Sequence, residues 1–421
     1  MTRRHRGALQ RLALLVSVLG FALLANSCAD SPPAWPTAVV QPTGTSALAP
    51  VELTPEPTVD PLVPTLSPNQ AATVVITETA ISPDVAPTGS ATPQPLPIAT
   101  AVAPPAVTVE PSDLRSRLGV GVPLEVTQFT FDAEYALKLG LGWYLDWHVD
   151  SEPVKADGLE FAQMVRVRGE NYFPARADII AAIAANPGSL WLIGNEPDVR
   201  WQDNTTPSQY AARYHELYTL IKTLDPSAQV AIGAVTQVTP LRLQYIEEIL
   251  AAYEALVGEP MPVDVWNIHA FILREERDSW GVSIPPGFDM DQGMLWEIED
   301  HDDMALFQQE IVDFRRWMAR NGQRDKPLIV TEYGILMPPE YGFPPEKVTE
   351  FMRATFDYLL NARDEEIGYP SDDNRLVQKL AWYSLSDTVY PTGNLLDPVT
   401  GDLTLLGEAF ADYTASLGDT Q

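Results

Sequence analysis

Two short runs in this chain each end on a glutamate. One is Trp191-Leu192-Ile193-Gly194-Asn195-Glu196-Pro197-Asp198, the other Leu328-Ile329-Val330-Thr331-Glu332-Tyr333-Gly334. Both are apolar stretches of strand type, so the carboxylate at the end of each sits at the lip of whatever the strands enclose. Two carboxyl groups at one lip, one protonated and one ionised, are what cleavage of a glycosidic bond requires.

Such a pair needs rigid elements to hold it. Over 113–421 short apolar runs alternate with longer amphipathic ones. Strands are predicted at 118–122, 141–148, 161–167, 190–195, 229–234, 263–269, 328–331 and 379–385. Helical spacing lies at 175–185, 207–224, 241–256, 303–321, 345–360 and 405–415. Pro207 and Pro345 suit first-turn positions, where a missing N–H costs nothing. Eight strand–helix alternations in one domain predict an α/β fold, a (β/α)8 TIM barrel. The interval between 148 and 161 is too short for a good helix, so that unit is degenerate. A doubly wound open sheet is the alternative, but no Gly-rich nucleotide loop accompanies it. Barrel chemistry sits at the C-terminal ends of strands. Glu196 ends the fourth strand and Glu332 the seventh, so both face one mouth although 136 residues separate them (332 − 196).

Other residues at strand ends have two readings each. Asp146, Trp147 and His148 close the second strand, as a substrate contact or as a structural hydrogen bond. Arg166 and Arg168 share a face of the third strand with Met164; one holds Glu332 ionised, or an arginine is salt-bridged within the barrel. Trp201 follows the Asn-Glu-Pro run and reads as a sugar subsite rather than core. The loop 272–302 is long and contains Trp280, Phe288 and Trp296, which suggests a lid lining outer subsites. The acidic run 297–303 reads as the start of a helix, where acids face the positive end of the dipole. Calcium is the alternative, but the spacing does not match a calcium loop. Neither a metal nor a cofactor is implied.

The chain begins with a basic stretch (Arg3, Arg4, Arg6, Arg11), followed by an apolar run too short to span a bilayer comfortably and then Ala25-Asn26-Ser27-Cys28. This is the pattern of an export signal over 1–27. Arg3-Arg4 also raises the twin-arginine route, but the residues after it fit poorly. Cys28 is the one cysteine in the sequence, so no intramolecular disulfide forms. From Ala29 to Ser112 there is no lysine or arginine, and 18 of the 38 prolines fall there. Proline blocks helix interiors and sheet ladders, and no periodicity builds a core, so 28–112 reads as a disordered Pro/Thr/Ala-rich tether.

The net charge of −30 becomes −34 once the four arginines of the signal are removed. Such a surface repels nucleic acid, anionic headgroups and polyuronides, and a neutral glycan is the natural substrate class. A monomer is expected.

The 113–421 segment resembles the large clan A of glycoside hydrolases. The likeness rests on Asn195-Glu196-Pro197, Thr331-Glu332-Tyr333-Gly334, Trp266-Asn267-Ile268-His269-Ala270-Phe271 at the sixth strand and Ala381-Trp382-Tyr383-Ser384 at the eighth. The tail from Leu395 to Phe410 also reads like the closing loop and last helix of such barrels. The resemblance implies that Glu196 is the acid/base and Glu332 the nucleophile of a retaining mechanism. It places Asn195 on the sugar 2-hydroxyl, His269 near the nucleophile and Trp382 as the platform beneath the sugar. Many relatives carry a tyrosine where this chain has Phe271, so Tyr333 is the candidate for a hydroxyl contact to Glu332. The region around Cys28 resembles the lipobox of bacterial lipoproteins, which implies lipidation at Cys28 and a chain anchored to the outer face of a bacterial membrane. The expected activity is cleavage of neutral, β-linked glycans. The alternatives are a non-catalytic glycan-binding lipoprotein and a cell-wall glycan transglycosylase.

Overall fold

The computed structural model describes residues 114–123 and 129–418; the expected export signal, Cys28 and the tether fall outside the described residues. In chain order the elements are β1 (Leu118–Gly121), α1 (Ala133–Leu139), β2 (Trp143–Leu145), β3 (Glu160–Arg168), β4 (Asn171–Phe173) and α2 (Arg176–Ala185). Then come β5 (Leu190–Asn195), α3 (Pro207–Leu224), β6 (Gln229–Ala234), α4 (Pro240–Val257), β7 (Trp266–His269) and α5 (Met304–Arg320). Last are β8 (Leu328–Glu332), α6 (Pro345–Asn361), β9 (Lys379–Trp382) and α7 (Leu405–Gly418).

Eight strands run parallel in the order β6-β5-β3-β2-β1-β9-β8-β7. Parallel bridges Ala231–Val265 and Val235–Ile268 bring β6 against β7 and nearly close the circle. The fold is therefore a (β/α)8 barrel, and the open-sheet alternative is set aside. Among the described residues no helix is long and apolar enough to cross a membrane. β4 stands outside the barrel, antiparallel to β3. The fourth and seventh barrel strands are thus β5 and β8. No helix joins β2 to β3, as the short interval required.

Two elements escaped the sequence reading. The hairpin strand β4 has three residues, too few for a periodic signal. Helix α1 spans only two turns and owes its ends to caps: Asp132 accepts from the backbone N–H groups of Glu134 and Tyr135, and Gly140 closes the helix. That Asp-to-Gly spacing was the available signal.

The core has two layers. A small cluster draws one or two side chains from six of the barrel strands, with Val265 just before β7: Trp143, Leu145, Ala162, Met164, Leu192, Ala231, Val265, Ile329 and Ala381. These fill the barrel interior. β1 contributes glycines instead. A Cβ on Gly119 would lie 2.6 Å from the Trp143 indole, and one on Gly121 2.8 Å from the Trp147 ring. The alternating glycines of Leu118-Gly119-Val120-Gly121 thus leave room for two tryptophans to lean across from the next strand. The larger cluster, including Val120, Ile193, Val330 and Trp382, lies between the strands and the helices.

Candidate active site

Glu196 and Glu332 meet at the barrel mouth, and His269 from the end of β7 sits between them. One ligating atom from each of the three residues lies within 4.8 Å of the others. His269 Nδ1 is 2.9 Å from Glu196 Oε1, and its Nε2 is 3.3 Å from Glu332 Oε1. The indole N–H of Trp147 donates to the same Glu332 oxygen at 2.6 Å. All three members of the central cluster are buried.

Local backbone explains how the side chains reach this point. The chain leaves β5 through a turn in which Glu196 adopts φ +44°, and Trp147 after β2 has φ +62°. Left-handed backbone in a non-glycine residue costs of order 1–2 kcal/mol and persists where surrounding contacts over-determine it. Here both instances aim a side chain into the mouth. Asp203, itself fully buried, fixes the floor of the Glu196 turn. Its Oδ2 accepts from the backbone N–H groups of Asn195 at 2.8 Å and Val167 at 2.9 Å, and its Oδ1 accepts from Arg166 Nε at 2.7 Å.

Burial pushes Glu332 up to about 7, and the charge of Glu196 adds to this; the nearby His269 and the Trp147 N–H oppose it. For His269 burial alone would favour the neutral ring, but the facing carboxylates of Glu332 and Glu196 outweigh it and hold its pKa above the ordinary value. Within the cluster a carboxyl group raised toward neutrality faces an imidazole held toward its charged form, an arrangement suited to acid/base work.

The sequence-predicted residues divide. Asn195 is buried at the end of β5, and its Oδ1 has no hydrogen-bond partner among the described residues. Asp146 is buried beside the mouth, its Oδ1 accepting from the His148 backbone N–H at 3.0 Å, and burial raises it to about 6. Trp147 lies in the mouth as donor to Glu332. Arg168 is more than half exposed and stands 3.8 Å from Asp203, whereas Arg166 makes the close bond. Trp201 is 48 % exposed on the loop after Glu196, with the Arg200 guanidinium 4.0 Å over its ring.

Two expectations are corrected. Trp382 is wholly buried, donates its indole N–H to Gly393 O at 2.7 Å and packs edge-on against Tyr333 and Phe356. It cannot lie beneath a sugar. Along β9 Ala381 belongs to the interior cluster and Trp382 to the outer one, so the alternation returns Tyr383 to the mouth. Tyr383 packs edge-on against Trp147 (5.9 Å) and Phe271 (6.3 Å), and its hydroxyl donates to Asp387. Tyr333 likewise turns outward onto Phe307 and Trp382, so the donor to Glu332 is Trp147 instead.

The loop 272–302 also differs from the expected lid. Trp280, Phe288 and Trp296 pack against the outer core, with Phe288 on Tyr245 of α4. The acidic run does start a helix: Asp303 accepts from the N–H groups of Ala305 and Leu306. Within it His301 is buried, one ring nitrogen on Ile272 O and the other accepting from Leu336 N–H, each at 2.9 Å. It ties the loop after β7 to the loop after β8. Burial drops His301 to about 4, which fits a neutral ring with one donor and one acceptor.

Residues 127–280 match the family model described as the glycosyl hydrolase catalytic core. Among curated proteins none matches the chain. Similar solved structures include an endo-β-1,3-glucanase of GH128 subgroup II from Sorangium cellulosum, 19 % identical over 70 % of this chain and 97 % of that one, TM-score 0.47. An endo-β-1,3-glucanase of GH128 subgroup I from Amycolatopsis mediterranei, in complex with laminaritriose, is 18 % identical over 70 % and 99 %, TM-score 0.46. A GH128 subgroup VII oligosaccharide-binding protein from Trichoderma gamsii is 14 % identical over 72 % and 95 %, TM-score 0.44. The family match over 127–280, the barrel and the glutamate pair at its mouth support a glycoside hydrolase with a (β/α)8-barrel domain.

Proposed function

We propose that this protein is a retaining glycoside hydrolase acting on a neutral, β-linked glycan from a lipid-anchored position outside the cell. The observation that carries the reading is the close approach of the glutamates, with an oxygen of each inside a 4.8 Å cluster. Retention works with carboxyl groups about 5–5.5 Å apart, whereas inversion needs roughly 6.5–9.5 Å to admit a water between them.

Glu332 attacks the anomeric carbon as Glu196 gives its proton to the departing oxygen. Trp147 N–H and His269 steady the negative charge of Glu332 before attack. A glycosyl ester on Glu332 results. Glu196, now ionised, takes a proton from water, and the water oxygen displaces Glu332 from the same face that the leaving group left. The free Oδ1 of Asn195 accepts from a sugar hydroxyl, the 2-hydroxyl on this reading. Tyr383 supplies the aromatic surface beside the bound sugar.

The test is to incubate the protein with neutral β-glucans of 1,3- and 1,4-linkage, xylans, mannans and galactans, following new reducing ends and the anomer first formed by NMR. The expected result is a β product, with Glu332→Ala inactive until azide is added and then giving an α-glycosyl azide. Release of the α anomer first, or undiminished activity in Glu332→Ala, would end the retaining reading. A diacylglyceryl group on the mature N-terminal Cys28, seen by mass spectrometry, is expected for the anchor; an unmodified cysteine rules it out.

A further inference from the structure

Behind Glu196 lies a chain of buried charges that the mechanism above does not use. Asp198, Arg242 and Glu275 are each wholly buried. Arg242 Nε donates to Asp198 Oδ2 at 2.9 Å, and Arg242 Nη1 lies 3.3 Å from Glu275 Oε1. Arg242 Nη2 donates to Ser283 O at 3.1 Å. Asp198 also receives the Thr236 hydroxyl at 3.2 Å. Glu275 accepts from Thr239 Oγ1 and from Met294 N–H, both at 2.7 Å. One arginine in the first turn of α4 therefore ties together the loops after β5, β6 and β7.

Burying three charges is not a route to stability, because apolar residues of similar size often serve as well. What the network supplies is geometry. Asp198 is two residues from Glu196, and between them stands Pro197, whose ring fixes φ. The turn is short, with Val199 N–H bonded back to Glu196 O at 3.0 Å. A shift of Asp198 thus passes directly to the acid/base.

We propose that Asp198, Arg242 and Glu275 are positioning residues that hold Glu196 at the leaving-group oxygen, so that proton delivery depends on this network while attack by Glu332 does not. The proposal rests on the glycosidase reading above. It predicts a split by leaving group. An activated 2,4-dinitrophenyl leaving group departs without protonation, whereas phenoxide or a sugar needs the acid.

The experiment compares wild type with Asp198→Asn, an isosteric change, on 2,4-dinitrophenyl and phenyl β-glycosides of glucose, xylose, mannose and galactose disaccharides. The value of kcat/KM is read because it reports the first chemical step. For the phenyl substrate a drop of about 10- to 100-fold is expected, the scale of a general acid misplaced by about an ångström. For the dinitrophenyl substrate the change stays within about twofold, since none of the acid's contribution is at stake. Glu275→Gln, at the far end of the network, is expected to show the same split more weakly, and it serves if Asp198→Asn does not fold. Equal losses on both substrates would mean a merely structural role, and no loss on either would mean no role; each overturns the proposal. A wild type inactive on every glycoside and every glycan would instead remove the glycosidase reading, and this proposal with it.

Discussion

Trp147 offers the sharpest test of how this site holds Glu332 in the role proposed for it. Its indole N–H meets Glu332 Oε1 at 2.6 Å, short even for a bond to a charged acceptor. Burial has already raised Glu332 to about 7, so the ionised form that the proposed attack requires is in short supply below neutrality. Trp147→Phe keeps an aromatic ring over Gly121 and removes the donor. A hydrogen bond to a charged group contributes about 1.5–3 kcal/mol, which at 1.36 kcal/mol per unit converts to about 1–2 units upward in the Glu332 pKa. The sign follows from the species bonded. The N–H favours the carboxylate, so its loss favours the acid, and activity that requires the carboxylate moves to higher pH. The acid limb of kcat/KM in the variant is therefore expected to shift from about 7 to about 8–9. Well below both values, near about pH 6, that shift is a loss of about 10- to 100-fold, and the loss narrows as pH rises. The assay is a pH profile of kcat/KM on the responsive substrate, with thermal melting to confirm the fold. An unmoved acid limb with a uniform loss at every pH would refute the reasoning, since it would show Trp147 to be a sugar contact only.

Four further substitutions test the geometry. Tyr383→Ala is expected to weaken sugar binding by the loss of an aromatic contact, about 0.5–1.5 kcal/mol or roughly 2- to 13-fold in KM. Trp382→Phe should leave KM alone and lower stability by about 1–3 kcal/mol, through the unsatisfied Gly393 carbonyl; the opposite pattern would reverse the assignment of the two aromatics. Asp203→Ala strands the Arg166 guanidinium and two backbone N–H groups, and a loss of about 3–5 kcal/mol by denaturant unfolding is expected. If the variant melts with the wild type, Asp203 is not the anchor of the Asn195–Glu196 turn. His301 is held neutral at about 4 against an ordinary 6.5, so stability is full above 6.5 and lost as pH falls through 4. The shift corresponds to about 3 kcal/mol. His301→Gln should be less stable than wild type at neutral pH but flatter between the two values, and parallel pH slopes would contradict the assignment.

Much of this molecule was legible without coordinates. Apolar runs of strand type ending in Glu196 and Glu332 placed both acids at strand ends, and the repeated strand–helix alternation named the barrel. Strands β5 and β6 and helix α3 run over the predicted residues because their ends carry local signals, such as Pro207 in the first turn. Helix signals of that kind act within a few residues, so a sequence displays them directly. The pairing of the two acids followed from topology, since every parallel strand of a barrel delivers its C-terminal end to one mouth.

What the sequence left open were choices that differ by one residue or depend on distant partners. Trp382 and Tyr383 are adjacent aromatics, and a step of one residue exchanges core for mouth. Only packing decided between them, because β1, with its inward glycines, and the helix α6 behind β9 set which face has room. Trp147 and Glu332 are 185 residues apart, and their bond depends on the short β2 strand, the φ +62° turn after it and the space left by Gly121. Asp203, Arg242 and His301 are ordinary surface types in a linear reading. Each became structural through burial against groups 29–44 residues away. Which elements form, and which of their ends carry the acids, is written in the linear chain, because those depend on local backbone preference and hydrophobic patterning. Tertiary structure decided which groups hold the acids in register and charge state, because burial and long-range hydrogen bonds exist only once the barrel has closed.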